Sequence, residues 1–549
     1  MDTARHDAAM RMPLPSWIAL LPLVLALHCA AQEPAPAPFP ASPSTETRAA
    51  AAGWGKGTWL DQHERCKATA RHGGIDLVLL GDSITQGFGG PSREVSQPAG
   101  DALASVLGAW RTANMGISGD GVSHVLWRLQ NGALDGLDPR FVALLIGTND
   151  LSRGDAPQHV ADGIAACVRE IRRRVPHAIV VVEPPIPRGK QRGDAMRKQT
   201  DETLRLVRAR CHDDPMATVL DLAPTFVDEN GELVAKLFAG DLLHLSADGY
   251  RAWAMQLRDT MATLDATRVR HVAFVAGDDE YRSEESLPML AAIAARELGV
   301  RTTVCLPRDA DGKVDPSCRT HIDNLRAIDS ADALVLFTRF RTLPDDELRR
   351  IVDHAAMGRA MIGFRTSTHA FLYPDDSPHR DTNDAWPRAT FGQQWIAHHG
   401  HFDDGKAPLT DVAFAEGSNA HPILCGVSPF AAFSWLYHVE GGGDSLQGPV
   451  EALLRGRALR SGLADEDRFP RMQPVAWTKV TQREHGEQRV FFTTLGHPYD
   501  FRAEPMRRMC LQAIAWALRR EDSIPANGMR CEPASPFEPS NSGMGAHRR

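Results

Sequence analysis

Ser83, His244 and Asp241 are the side chains in this sequence whose types and setting could do covalent chemistry together. Ser83 closes the run Leu77-Val-Leu-Leu-Gly-Asp-Ser-Ile-Thr-Gln-Gly87, an apolar strand pattern that stops at a glycine-punctuated turn. A hydroxyl there stands above the carboxyl edge of a sheet, where open α/β folds take their ligands. Serine is a weak nucleophile at its own pKa and needs a base. Asp241-Leu-Leu-His-Leu-Ser-Ala-Asp-Gly-Tyr250 supplies an imidazole, His244, with a carboxylate three residues before it. Two more strand ends offer polar groups at the same edge. Gly116, in Asn114-Met-Gly-Ile-Ser-Gly119, lets a backbone N–H approach a ligand unobstructed. Asn149, in Leu144-Leu-Ile-Gly-Thr-Asn-Asp150, brings an amide donor. Each feature alone has a plainer explanation as a helix N-cap, turn glycine, Asx-turn or surface histidine. Their recurrence at successive strand ends of one segment favours a nucleophile site.

The elements that must hold these residues follow from hydrophobic periodicity. Buried-strand runs at Ile75–Leu80, Thr112–Met115, Phe141–Ile146, Ala178–Val182 and Thr218–Leu222 alternate with helical patterns over Val122–Gln130, Pro157–Val175 and Ala195–Cys211, and a last helix follows Ser246. A second series starts at His271–Val275 and continues through Arg301–Leu306, Ala333–Phe337, Ala360–Phe364, Val475–Val480 and Arg489–Thr494 to a helix near Pro505–Arg519. Strands alternating with amphipathic helices predict α/β architecture, here two doubly wound parallel-sheet domains. The boundary falls in Ala262–Arg268, giving domains at 54–266 and 268–521. No internal repeat relates the two.

The four positions Ser83, Gly116, Asn149 and His244 resemble the signature of the SGNH (GDSL) hydrolases over about Trp54 to Leu264. Gly121-Val-Ser-His-Val-Leu-Trp-Arg-Leu-Gln-Asn-Gly132 and the Asp241–Tyr250 stretch are most similar to the catalytic subunits of intracellular platelet-activating factor acetylhydrolase, which remove short acyl groups. The resemblance implies a three-layer sandwich and a cofactor-free serine esterase. Ser83 would be the nucleophile, His244 the general base and acid, and Asp241 the group that holds the imidazole tautomer. The N–H groups of Ser83 and Gly116 and the side-chain amide of Asn149 would form the oxyanion hole. Asp82 and Asp150 are expected to brace turns and Trp127 to pack in a helix core.

Gly363-Phe-Arg-Thr-Ser-Thr-His369, His398-His-Gly-His401, His421-Pro-Ile-Leu-Cys-Gly426 and the Thr-Thr-Leu-Gly-His run ending at His497 resemble the trehalose-utilisation (ThuA-like) family. That likeness implies a flavodoxin-like fold, similar to class I glutamine amidotransferases, and a tie to sugar metabolism. Amidotransfer would need a cysteine at the strand–helix elbow, where this chain has Thr366-Ser367-Thr368. His369 and His497 both follow strands and are candidate sugar contacts. His398, His399 and His401 lack the carboxylate–histidine spacing of a known metal site, so no metal is expected.

Arg5 and Arg11 precede the apolar run Trp17–Leu27, and Ala30 and Ala31 follow it. Eleven residues are too short for a membrane-spanning helix and fit a secretory signal peptide over 1–31. His28 is too bulky before Cys29 for a lipid anchor there. Residues 32–53 form a Pro/Ala-rich linker, and 522–549 are expected to be a disordered tail. The chain has 61 Lys and Arg against 69 Asp and Glu, a net charge of −8 without a basic face, which excludes a phosphate-neutralising nucleic-acid binder. Nine cysteines without a C-x-x-C spacing exclude a disulfide scaffold and a zinc motif, although Cys305 and Cys318 could pair across a short excursion. The combined expectation is an exported esterase removing acetyl groups from carbohydrate, its partner an acylated sugar or other small ester. The alternative is a saccharide-binding or disaccharide-processing protein acting mainly through the second domain.

Overall fold

A computed structural model describes residues 39–45, 57–90, 97–400, 407–463, 467–483 and 486–543. The expected signal peptide, most of the linker and His401 lie outside the described residues.

The first sheet has five parallel strands, β1 (Leu77–Gly81), β2 (Thr112–Gly116), β3 (Phe141–Leu145), β4 (Ile179–Glu183) and β5 (Ala217–Val219), in the order β2-β1-β3-β4-β5. Strands β1, β3 and β4 are buried along their whole length, which is why they read as continuous apolar runs rather than alternating ones. Side chains still alternate between the two faces. Leu77, Leu79, Phe141, Ala143, Leu145, Ile179 and Val181 share one core with Tyr250, Trp253, Leu257 and Met261 of the helix Ala247–Thr267. Burying each such large side chain contributes about 1.5–3 kcal/mol. Ser246 caps that helix by accepting from the Gly249 N–H, which fixes where the segment carrying His244 must end.

The second sheet has nine strands and is mixed. β6 (His271–Gly277), β7 (Arg301–Cys305), β8 (Ala333–Thr338) and β9 (Ala360–Phe364) are parallel. β10 (Thr410–Phe414), β11 (Phe430–Ala432), β12 (Val450–Ala458), β13 (Met472–Arg483) and β14 (Gly486–Thr493) pair antiparallel among themselves, and β14 joins β9 in parallel. The parallel-sheet expectation holds for β6 to β9 and for β14 on β9, and the remaining strands are antiparallel for a simple reason. Arg483 pairs with Gly486, so only two residues separate β13 from β14, and a connection that short permits only an antiparallel hairpin.

Two further expectations are corrected. Cys305 and Cys318 are free thiols, with Cys305 buried among apolar neighbours beneath the second sheet. The tail expected to be disordered packs along the second half as far as Gly543. Cys531 and Met529 are buried, and Arg507 and Arg508 donate to the Cys531 and Met529 carbonyls at 3.0 Å. Apolar residues spaced among its Pro and Ser give that segment something to bury.

Residues 40–549 form one unit, within which the two sheets meet at their amino ends. Asp76, just before β1, pairs with Arg111 and with Arg359, just before β9. Arg140, just before β3, donates to the Ala331 carbonyl at 2.5 Å and lies 3.5 Å from Asp332, just before β8. The carboxyl edges therefore face away from each other, at opposite ends of the molecule.

Candidate active site

Ser83 opens a short helix, Ser83–Gln86, that leaves β1 through Asp82. Asp82 Oδ1 accepts from the Ile84 N–H at 2.9 Å, and Tyr250 donates its hydroxyl to the Ile84 carbonyl at 2.7 Å. The nucleophile turn is thus held from below by its own cap and from the side by the C-terminal helix of the domain.

Ser83 Oγ lies 3.0 Å from His244 Nε2, and His244 Nδ1 lies 2.7 Å from Asp241 Oδ2. The other Asp241 oxygen accepts from the Leu243 and His244 amides, both at 3.0 Å. Two bonds close the Asp-x-x-His turn, from the Ala239 N–H to the His244 carbonyl at 2.7 Å and from the Leu242 N–H to the Ala239 carbonyl at 3.0 Å. The turn also forces Leu242 to φ +51°, a left-handed conformation costly for a branched residue. Partial burial works against the Asp241 charge, but the His244 ring and the two amides outweigh it and hold the carboxyl below the ordinary range. The Asp241 side chain is 49% exposed and that of His244 26%, so this relay sits at an open mouth reachable by substrate.

Gly116 stands beside this turn but in a different role from the one expected. Its N–H donates to Asn114 Oδ1 at 3.0 Å, so its proton is already engaged. A Cβ at position 116 would come 2.3 Å from the Gln86 nitrogen and 2.8 Å from the Asp82 carbonyl oxygen. Glycine is required because the end of β2 touches the nucleophile helix. Asn114 adds to the same clamp, its amide donating to the Thr85 and Gly89 carbonyls at 2.9 Å.

Asn149 lies in the helix Thr148–Arg153 after Gly147, whose φ of +116° turns the chain out of β3. One proton of its amide goes to the Asp120 carbonyl at 2.8 Å, which fixes the plane of the group. Asp120 accepts from Trp59 Nε1 at 2.6 Å and Arg128 at 2.7 Å, and Asp150 accepts from the Val122 N–H at 3.2 Å. Burial, joined by the neighbouring Asp120 and Asp150, pushes the Asp82 carboxyl up to about 7. Burial raises Asp120 to about 6 against the pull of Arg128. Asp82 and Asp150 brace turns, and Trp127 packs 5.5 Å from the Trp59 ring. Asn114, Asp120 and Tyr250 were not assigned roles from the sequence. Tyr250 had a signal there, as the last residue of the stretch that carries His244.

At the second carboxyl edge, His369 and His497 both feel the charge of Arg365. Arg365 lies 4.3 Å from the Tyr281 ring centre and 4.4 Å from that of Tyr437, and donates to the Trp435 and Thr494 carbonyls. His369 packs on Phe340 and Trp395 at 5.0 and 5.4 Å, and burial holds it well below the ordinary histidine range. His497 is fully buried, its Nε2 3.0 Å from the Ser542 hydroxyl of the tail. Burial, then the charges of Arg365 and Arg502, push it down to about 3. At the elbow, Ser367 donates to the Leu336 carbonyl at 2.8 Å and braces the turn.

Residues 79–252 match the model of the GDSL-like lipase/acylhydrolase family. Platelet-activating factor acetylhydrolase IB subunit alpha1 of Pongo abelii is 35% identical over 203 residues, covering 36% of this chain and 79% of the relative. The alpha2 subunit of Gallus gallus is 29% identical over 218 residues, covering 38% of this chain and 86% of the relative. Among solved structures, Axe2, an acetylxylan esterase from Geobacillus stearothermophilus, aligns at 22% identity with a TM-score of 0.29, covering 34% of this chain and 93% of that one.

Proposed function

This chain belongs to the GDSL-like lipase/acylhydrolase family, and from that premise we propose that its first half is a serine acetylesterase acting on acetylated carbohydrate. The observation that carries the reading is the continuous hydrogen-bonded chain from Ser83 Oγ through His244 to Asp241 at an open sheet edge. His244 Nε2 accepts the hydroxyl proton as Ser83 Oγ attacks the acyl carbon, and Asp241 stabilises the imidazolium. The proton then passes to the leaving alcohol, and water repeats the sequence to release the acid. The negative oxygen of the tetrahedral intermediate is met by the Ser83 N–H and the second proton of the Asn149 amide, whose first is fixed on Asp120. The Gly116 N–H contributes only by sharing its proton with Asn114.

Support for a short acyl group comes from the acetylhydrolase relatives. Support for a sugar alcohol comes from the apolar N-terminal run Trp17–Leu27, which fits a signal for export, and outside the cytoplasm acetylated saccharides are a natural class of ester. In the second half, the Phe340 and Trp395 rings beside His369 suit a companion saccharide-handling role. The test is Ser83→Ala assayed on a chromogenic acetyl ester and on acetylated xylan. Turnover should fall on the order of 10⁴–10⁶-fold, and unchanged turnover would remove Ser83 from the mechanism. An acyl-length series in which longer esters match acetyl would remove the short-acyl preference.

A further inference from the structure

Where the two halves meet, a crevice of about 540 Å³ opens between the amino ends of their sheets, at the opposite end of the first sheet from Ser83. That volume is within the range of small-molecule sites, which favour domain interfaces. Its lining is unusual in charge. Arg140, Arg268 and Arg301 all contribute, and among the described residues no Asp or Glu lines it. Met216, Leu264 and Val269 give it apolar walls, and Val269, 64% exposed, marks the mouth.

Three acids, Asp332, Asp265 and Asp138, pair with four arginines from behind. Asp332 pairs with Arg268 and Arg270 and lies 3.5 Å from Arg140, while Asp265 pairs with Arg268 and Arg270. Asp138 is 3.8 Å from Arg301 and accepts from the Ser330 hydroxyl at 2.7 Å. Arg140 remains under-satisfied, its buried Nε without a hydrogen-bond partner among the described residues. Burial, then the nearby charges of Arg359 and Arg268, lower it to about 10. The Arg301 guanidinium is lowered too, by burial and by Arg268. His177 and His271 lie beside Arg301 and are pushed down as well, first by burial and next by its charge, so the positive charge of the crevice rests on the arginines. The crevice therefore joins surplus positive potential to greasy walls.

We propose that this crevice is a binding site for a small amphipathic carboxylate, its head on Arg140, Arg268 and Arg301 and its hydrocarbon against Met216, Leu264 and Val269. An anionic head relieves the crowding of arginines, and guanidinium groups match a carboxylate with paired N–H donors. The hydrocarbon gains by leaving water. A polyanion fits poorly against the apolar wall, and a neutral lipid leaves the arginines unmet. The site stands independently of the esterase reading, because its residues are separate from the Ser83 edge.

Calorimetric titration of the full chain with octanoate, 1-octanol and acetate tests it. Octanoate should bind with one-to-one stoichiometry, and the alcohol of equal length and the headgroup alone each roughly tenfold more weakly or not at all. Raising salt should weaken octanoate severalfold as the charges are screened. Val269→Glu places a carboxylate at the mouth on an exposed position and should weaken octanoate roughly tenfold while melting and acetyl-ester turnover stay at the parental values. Arg301→Gln should weaken it by a similar factor. Octanol binding as tightly as octanoate, octanoate binding unchanged in both variants, or no octanoate binding at millimolar concentration would overturn the proposal.

Discussion

Two histidines hold comparable places in this molecule, each beyond the carboxyl ends of parallel strands, and only one is equipped for proton transfer. His244 is partly exposed, bonded on one nitrogen to a carboxylate and on the other to a serine hydroxyl. His497 is buried, surrounded by aromatic rings, and bonded to a hydroxyl of the chain's own tail, with Arg365 and Arg502 adding to the burial that keeps it neutral. A strand end provides the location, but the chemistry depends on a carboxylate behind the imidazole and open space ahead of it. His244→Ala should therefore cost on the order of 10⁴–10⁶ in turnover of an acetyl ester, whereas His497→Ala should leave that turnover within about twofold. Kinetics of both variants on one substrate check this, and equal losses would erase the distinction between the two edges.

A finer cut asks how much of the first edge's advantage is the carboxylate itself. Asp241→Asn keeps an acceptor for the Leu243 and His244 amides but presents the ring with the wrong polarity. In a closed site such a change costs about 10⁴. Asp241 is half-exposed, so water takes up part of its role, and we expect a loss of roughly 10²–10⁴, smaller than for His244→Ala. Initial rates across a pH series check it. A loss equal to that of His244→Ala would make the carboxylate as indispensable as the base.

The meeting of Ser83 with His244 was legible in the sequence because each sits where periodicity breaks, one at the end of an apolar strand and the other just before the final capped helix. The function of Gly116 was only half legible. A glycine after a strand announces a close approach, but not whether a ligand or the protein's own backbone makes it, and here the Gln86 nitrogen does. Asn114, two residues earlier, carries no such mark, because an asparagine inside a strand pattern gives no periodic signal. The contact between halves was not legible at all. Asp76, Arg140, Asp332 and Arg359 are scattered along the chain and become one network only when two sheets are set end to end. The antiparallel strands were hidden differently: β10 alternates but buries Thr410 and exposes Ala413, β11 is three residues long, and β12 mixes exposed and buried positions irregularly.

The first strand of each sheet ends in Gly-Asp, and these aspartates sharpen the comparison at its smallest scale. Asp278 accepts from the Glu280 and Tyr281 amides and from the Thr366 hydroxyl, so both of its oxygens are used. Among the described residues, Asp82 has only the Ile84 N–H on one oxygen, and the other is buried without a partner. With its carboxyl raised to about 7, Asp82 enters the folded state protonated in mild acid. A carboxyl raised on folding favours the folded state fully below the unfolded value near 4, and that contribution is lost as pH climbs through about 7. Asp82→Asn keeps the acceptor for Ile84 and carries no charge at any pH. The variant should match the parent near pH 4 and exceed it by roughly 4 kcal/mol at pH 8, read as a melting temperature that no longer declines across this window. The same substitution at Asp278 should bring a smaller gain, because burial raises that carboxyl as well but the Thr366 hydroxyl and two amides pull it back. A parent protein whose stability rises from pH 4 to 8 by this increment relative to Asp82→Asn would reverse the sign and place the negative charge, rather than the proton, on Asp82 beside the nucleophile.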